Sequence, residues 1–182
     1  MTATAPAFVG TFRADPAHSS VTFAVRHMKV SVFRAFFGDV HARVVADDTG
    51  VRLDGGAQVE SLSIRGPKEF REHVVNGSDF FDAPNHPELT VRSTDVRIAD
   101  DGSVTVRAEL TIKGITRPVT ATGTYQPPVA DPYGVERAAL KLTAEVDRRK
   151  WGMDWQAPMP GGGDVLAYDV RLSAHLELVR ET

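Results

Sequence analysis

The sequence predicts an all-β domain, an eight-stranded antiparallel β-barrel with one short helix packed beside it. Three observations predict this fold. Apolar and polar residues alternate at period two in about eight segments, tight turns containing Gly or Asp separate many of them, and a single window has helical character. Short turns favour antiparallel neighbours, because parallel strands need crossovers of a dozen residues or more.

The predicted strands follow the alternation along the chain. They cover residues 21–25, 40–44, 51–59, 89–98, 104–112, 119–125, 140–146 and 166–178. The apolar face of the last segment runs over seven alternate positions, from Leu166 to Leu178. That length is natural in a tilted barrel strand and long for a sandwich strand. The helical window is 67–76, where Pro67 suits the first turn and Asn76-Gly77 the end. No linker or repeat divides residues 1–182, which are read as one domain.

The inward faces of the predicted strands contain several small residues. They are Ala108, Ala121, Gly123, Ala144 and Ala174. A packed core favours larger apolar side chains at such positions, so the pattern indicates a lumen that holds a ligand. The alternative is that Phe23, Phe37 and Tyr125 fill the space.

Composition excludes several classes of protein. The chain has 182 residues, 21 basic and 24 acidic side chains, a net charge of −3 and no cysteine. The charge argues against a general nucleic-acid binder, and the lack of cysteine excludes disulfides and thiolate chemistry. The six histidines are dispersed, so neither a metal site nor another cofactor is predicted. No segment is long and apolar enough to span a membrane, and the N-terminus has no signal-peptide pattern, so a cytoplasmic location is expected.

Four segments together carry a family resemblance. They read DPAHSSVTFAVRHM at 15–28, SDFFDA at 78–83, LTIKGITRPV at 110–119 and DRRKWGM at 147–153. In this order they resemble the YceI family, lipocalin-like proteins described as polyisoprenoid-binding, over about residues 8–179. The resemblance implies a lipocalin-like antiparallel barrel with a hydrophobic tunnel, and non-catalytic binding of a long-chain lipid. It is also compatible with a homodimer.

The chain departs from the family pattern at three places. The family's helical His is Val74, its Asp before the aromatic-Gly pair is Lys150, and its Gly in an Arg-Gly-x-Phe stretch is Ala35. No head-group or metal role is therefore carried over through those positions.

Inward-facing strand residues and nearby aromatic residues are the predicted ligand-binding surface. They are Phe23, Val25, His27, Phe36, Ala108, Leu110, Ala144, Val146, Trp151, Trp155, Tyr168 and Leu172. Arg149 and Lys150, in a basic cluster with Arg148, are predicted to meet an anionic head group. The connection from Trp151 to Asp164 is predicted to be a lid at the entrance. Two alternatives stay open: both tryptophans plug the barrel end, or the entrance lies near residues 26–37.

The predicted function is binding, transport or sequestration of a long hydrophobic ligand, either a polyisoprenoid or a fatty-acyl amphiphile. No catalytic residue is predicted. The competing hypothesis is a small barrel enzyme that acts on a lipid-like substrate with His27 as the acid–base group. A third is a structural protein with a vestigial tunnel.

Overall fold

The computed structural model describes residues 9–181, in which ten strands and one α-helix follow the chain. The strands are β1 (Gly10–Ala14), β2 (Ser20–His27), β3 (Ser31–Phe37), β4 (Val40–Asp47), β5 (Gly50–Gln58), β6 (Glu88–Ile98), β7 (Ser103–Ile112), β8 (Ile115–Ala130), β9 (Glu136–Asp147) and β10 (Leu166–Arg180). The helix α1 spans Lys68–Asn76, and short 3₁₀ helices cover Val59–Ser61 and Arg148–Trp151. No helix in this part of the chain is long and apolar enough to cross a membrane.

The ten strands close into a barrel with eight strand positions around its wall. The hydrogen-bonded order is β1-β4-β5-β6-β7-β8-β9-β10, and β10 pairs back to β1. Strand β2 pairs with β10 and β3. Strands β1 and β2 therefore share one position of the barrel wall, and β3 and β4 share the next, with one interruption in each. The predicted closed antiparallel barrel is confirmed.

The alternation that predicted the strands also predicted most of their inward faces. Val104, Val106 and Ala108 are buried, and so are Leu140 and Leu142 on β9. Sequence analysis missed two strands, β1 and β3, because β1 is only five residues long with two buried apolar positions and β3 has apolar residues on both faces. The predicted helix is confirmed, with Pro67 at its N-cap and Gly77 at its C-cap.

The helix end of the barrel is held by aromatic packing. Phe81 follows α1 and lies edge-on to Phe37 with ring centroids 5.6 Å apart, and its centroid is 6.1 Å from that of Phe23. Val74 and Val75 of α1 are buried beside them. Phe70 of α1 lies edge-on to Phe33 of β3 with ring centroids 5.7 Å apart. The helix therefore packs against β3, at the end of the barrel where β2 reaches His27.

The opposite end is held by an ion-pair network around Arg137 on β9. The Arg137 guanidinium donates hydrogen bonds to Asp15 (2.8 Å), Glu177 (2.6 Å) and Asp131 (2.9 Å). These carboxylates come from the β1–β2 break, from β10 and from the β8–β9 turn. One side chain therefore ties together three chain segments, and we call this region the network end.

Candidate hydrophobic binding site

The barrel lumen contains two adjoining cavities. The larger, which we call the outer chamber, has a volume of about 630 Å³ and lies at the helix end. The smaller, the inner chamber, has about 150 Å³. Val21, Leu89, Leu110 and Leu172 line both, so these four side chains form the boundary between the chambers.

The outer chamber is lined almost entirely by apolar side chains. β2 contributes Phe23 and Val25, α1 and the segment after it contribute Phe70 and Phe81, and Val170 comes from β10. The polar side chains are few: His27, Ser31, His73 and Arg148 carry the imidazole, hydroxyl and guanidinium groups of the wall. Such a surface can desolvate a hydrocarbon chain but offers few partners for a polar ligand.

The mouth of the outer chamber lies between the β2–β3 hairpin and α1. Val32 and Phe70 line the cavity and yet remain 43% and 40% exposed. The opening exists here because, within the described part of the chain, β3 has a strand neighbour on the β2 side alone, apart from a single bridge from Phe37 to Leu62. The structure thus places a cavity opening near residues 26–37, one of the two entrance positions that the sequence left open.

The inner chamber is lined by the small residues that indicated a lumen. Ala108, Ala121, Ala144 and Ala174 all contribute to its wall. Phe23 and Phe37 do not fill this space, because they pack against each other and against Phe81 at the helix end.

Gly123 is the exception among the five small residues. It lines neither chamber, and a Cβ at this position would collide with the carbonyl oxygen of Lys141 on β9. Its small size therefore serves the close approach of β8 to β9 and not the lumen.

The volume of the outer chamber is too large for a packing defect. Ligand cavities typically measure about 300–1,000 Å³. At roughly 24 cal/mol per Å³ of void, an empty cavity of 630 Å³ would cost on the order of 15 kcal/mol. That equals the entire folding free energy of a typical domain, so the lumen is a space that solvent or a ligand occupies.

Ten of the twelve predicted ligand-binding residues line the chambers. Phe23, Val25, His27, Val146, Trp151 and Trp155 face the outer chamber, Ala108 and Ala144 face the inner one, and Leu110 and Leu172 face both. Their contact with a ligand remains a prediction, but the barrel brings them to one continuous surface.

Phe36 and Tyr168 line neither chamber, contrary to the expected inward placement. Phe36 is 48% exposed because its neighbours Ala35 and Phe37 occupy the inward positions of β3. Tyr168 lies in an irregularity of β10, where the pairing with β2 shifts between Leu166 and Val170. Its ring lies beneath the guanidinium of Arg149, at 4.1 Å.

The two predicted head-group residues also lie outside the lumen. Arg149 is paired with Asp147 at 2.6 Å, and Lys150 is exposed. Neither lines a chamber, because β9 ends at Asp147 and the following 3₁₀ helix turns these two side chains outward.

Arg148 is the cation that does reach the outer chamber. The sequence placed it in the basic cluster expected to meet a head group, but Arg149 and Lys150 were chosen as the head-group residues. It is buried, and its guanidinium donates to the carbonyl oxygens of Met153 (2.5 Å), Trp155 (2.9 Å), Ala167 (3.0 Å) and Leu166 (3.3 Å). Burial lowers the pKa of Arg148. The alternation of β9 contained the signal: Ala144 and Val146 face inward, so the next inward position is 148.

The first half of the predicted lid is anchored in the core. Trp151 is buried, and its indole N–H donates to the Leu110 carbonyl at 3.2 Å. Met153 is buried as well, and Trp155 packs against Phe80 with centroids 5.5 Å apart. Both tryptophans therefore close one side of the outer chamber, as the plug alternative expects. Pro158 and residues 160–164 remain exposed.

His27, the residue of the enzyme hypothesis, lines the outer chamber near its mouth. Within residues 9–181, the histidines that approach a carboxylate within 4.0 Å are His18, His41 and His73, and His27 is not among them. Asp15, His18 and Glu177 form a cluster that could hold a cation, but it lies at the network end, and Arg137 already binds both carboxylates.

Residues 12–178 match the YceI-like domain. The chain belongs to the YceI-like family. It is 26% identical over 166 residues to a UPF0312 protein of Vibrio parahaemolyticus, covering 91% of this chain and 84% of that protein. It is 27% identical over 168 residues to a UPF0312 protein of Staphylococcus aureus, covering 91% and 95%.

Solved structures show the same YceI-like barrel. BcnA of Burkholderia cenocepacia aligns with a TM-score of 0.73 at 23% identity, over 92% of this chain and 99% of that chain. A polyisoprenoid-binding domain from Saccharophagus degradans aligns with a TM-score of 0.68 at 11% identity, over 96% and 100%. At these identities the likeness establishes the fold.

Proposed function

We propose that this YceI-like barrel binds a long-chain lipid, a polyisoprenoid or a fatty-acyl amphiphile, without transforming it chemically. The observation that carries the proposal is the lumen itself: an outer chamber of about 630 Å³ that is open at one end, almost wholly apolar, and continued by the inner chamber. The polyisoprenoid-binding domain of Saccharophagus degradans, which shares the fold, supports the same ligand class.

Desolvation drives the binding in this proposal. Each methylene that moves from water into the lumen contributes roughly 0.8 kcal/mol, so a long chain needs few polar contacts. The tail passes between Leu110 and Leu172 into the inner chamber. The polar end stays at the mouth, where His27 and Ser31 provide hydrogen-bonding groups.

The chain contains a built-in reporter for this proposal. Its only two tryptophans, Trp151 and Trp155, both line the outer chamber. Titration with a fatty acid and with a polyprenyl alcohol should therefore change the intrinsic fluorescence and saturate at one ligand per chain. A Trp155→Phe variant should keep the binding and lose part of the signal.

Probes of different chain length distinguish binding in the lumen from binding at a surface site. Affinity should rise with chain length until the inner chamber is filled, and Ala144→Phe should remove the benefit of the longest chains. If affinity does not depend on chain length, and Ala144→Phe binds every probe like the wild type, the lumen is not the binding site. Turnover of the bound probe that is lost in His27→Ala would favour the enzyme hypothesis.

A further inference from the structure

The β2–β3 hairpin beside the mouth has an unusual outer surface. Val30 at its tip is 84% exposed, and Met28, Val32 and Phe36 are each more than 40% exposed. Solvent-exposed apolar residues are normal singly, but three of these four lie within five residues at the tip of the hairpin, which marks an interaction site. Phe36 lies further along β3. We call this surface the hairpin patch.

The same hairpin carries only positive charge. Arg26, Lys29 and Arg34 are exposed, and the chain has no Asp or Glu from Pro16 to Gly38, although its net charge is −3. In the described part of the chain none of the three is within 4.0 Å of a carboxylate. Across the mouth, α1 carries both signs, with Lys68 paired to Glu72. The excess of basic side chains is therefore confined to the hairpin.

The cross-strand register mixes the two kinds of side chain on one face. Arg26 lies directly opposite Val32, and Arg34 lies two residues further along β3 on the same outward side. Apolar residues and cations interleaved at a hairpin tip match a bilayer surface, since the apolar groups enter the acyl boundary while the cations meet lipid phosphates.

We propose that the hairpin patch docks this protein on the surface of an anionic lipid bilayer, with the mouth of the lumen facing the membrane. The mouth adjoins the patch because Ser31, Val32 and Phe33 line the outer chamber. A lipid tail then enters the lumen directly from the membrane. The proposal rests on the proposed lipid-binding function for its purpose, and the test below separates the two.

A second copy of the chain is the competing occupant. Residues 31–35 of β3 form a free edge that another strand could pair with. Pairing two hairpins edge to edge would, however, bring two sets of three cations together, and like charges on adjacent strands repel. The charge therefore favours an anionic surface over a copy of the same hairpin.

Vesicle flotation of the full chain tests the proposal. The protein should float with vesicles rich in phosphatidylglycerol, float weakly with pure phosphatidylcholine, and be released by high salt. Lys29→Glu with Arg34→Glu should weaken the binding by on the order of 100-fold, and Val30→Asp by at least tenfold. Matched controls at or near the network end are Val129→Asp, at a residue 66% exposed, and Lys141→Glu; both should float like the wild type.

A parallel titration with a short, water-dispersed fatty acid keeps the two proposals apart. The substituted residues line neither chamber, so every variant should give the wild-type change in tryptophan fluorescence. Flotation that ignores lipid charge, or that the control substitutions reduce equally, would overturn the docking proposal and leave lumen binding intact. The docking proposal would also be overturned if light scattering showed a dimer that Val30→Asp dissociates while vesicle flotation is unchanged. Failure of lumen binding with charge-dependent flotation retained would instead overturn the proposed function.

Discussion

The two ends of the barrel are built from the same strands but held together by different interactions. At the network end, Arg137 ties Asp15, Asp131 and Glu177 together through hydrogen bonds of 2.6–2.9 Å. At the mouth end, Arg148 is buried against backbone carbonyls beside an apolar chamber, and no carboxylate of residues 9–181 lies within 4.0 Å of it. At one end, ion pairs join three chain segments beside a packed apolar core that includes Phe12 and Leu178. At the other end, a single buried cation orders a connection beside an open chamber.

The largest expected effect is at the mouth end. Arg148→Met removes four hydrogen bonds to carbonyl groups, of which the one to Met153 is buried. The Leu166 carbonyl keeps the side-chain amide of Gln156 as a donor. We expect a loss of at least about 3 kcal/mol in the free energy of unfolding, which corresponds to roughly 6–12 °C in Tm. Thermal and urea denaturation measure it. The matched control, Arg149→Met, should leave Tm nearly unchanged because Arg149 is exposed, and equal losses would contradict the account of this connection.

The next effect compares two alanines on the same face of β9. Ala138 is buried and lines neither chamber, whereas Ala144 borders the inner chamber. Ala138→Phe should overpack the core and cost about 1–3 kcal/mol, while Ala144→Phe should keep or raise Tm because its ring enters existing space. Calorimetry on both variants decides the point. A similar loss of stability at the two positions would show that the inner chamber cannot accommodate an added ring.

A smaller loss is expected at the network end. Arg137→Met leaves Asp15, Asp131 and Glu177 without their shared partner, but all of these groups are partly open to water, which screens them. Tm should fall by less than in Arg148→Met, and the fluorescence change on lipid binding should persist. Loss of lipid binding in this variant would show that the two ends are coupled.

The smallest effect is a dependence of stability on acid pH. The hydrogen bond from Arg137 is the main reason why the pKa values of Asp15 and Asp131 lie below 3.8, the ordinary value. Because the folded pKa is below the unfolded one, this stabilisation is present above about pH 4 and is lost as pH falls below it. Arg137→Met should reduce that acid dependence. Identical curves of Tm against pH for the variant and the wild type would show that the pairing contributes nothing.

Local alternation predicted most of the barrel but not its interruptions. The inward faces of β7 and β9 follow directly from the alternation of apolar and polar residues, because each strand has one face toward the lumen and one toward solvent. β3 was missed because apolar side chains lie on both of its faces, with Phe36 outward next to inward Phe37. β1 was missed because its inward face has only two apolar residues, Phe12 and Ala14. The shift in pairing at Tyr168 was equally invisible, because alternation continues in the sequence where the strand itself is irregular.

Alternation predicted which residues face the lumen on the regular strands, but not at the rim of the chamber. Val25 and Leu172 were selected by alternation, and both line the lumen. Arg149 and Lys150 were selected because three cations adjoin a tryptophan, but composition cannot tell which cation a 3₁₀ helix turns inward. Only the structure shows that Arg148 is the buried one and that the opening lies beside β3, where strand pairing stops.

Native mass spectrometry most directly tests the claim that the lumen, and not the outer surface, holds a long hydrophobic chain. The protein and its Ala108→Phe/Ala144→Phe variant, which fills the inner chamber, are each incubated with a polyprenyl or long-chain fatty-acyl probe and transferred from detergent-free buffer. We expect one retained lipid per wild-type chain and markedly less on the folded variant. Equal retention by both proteins, with the variant's Tm preserved, would contradict that claim.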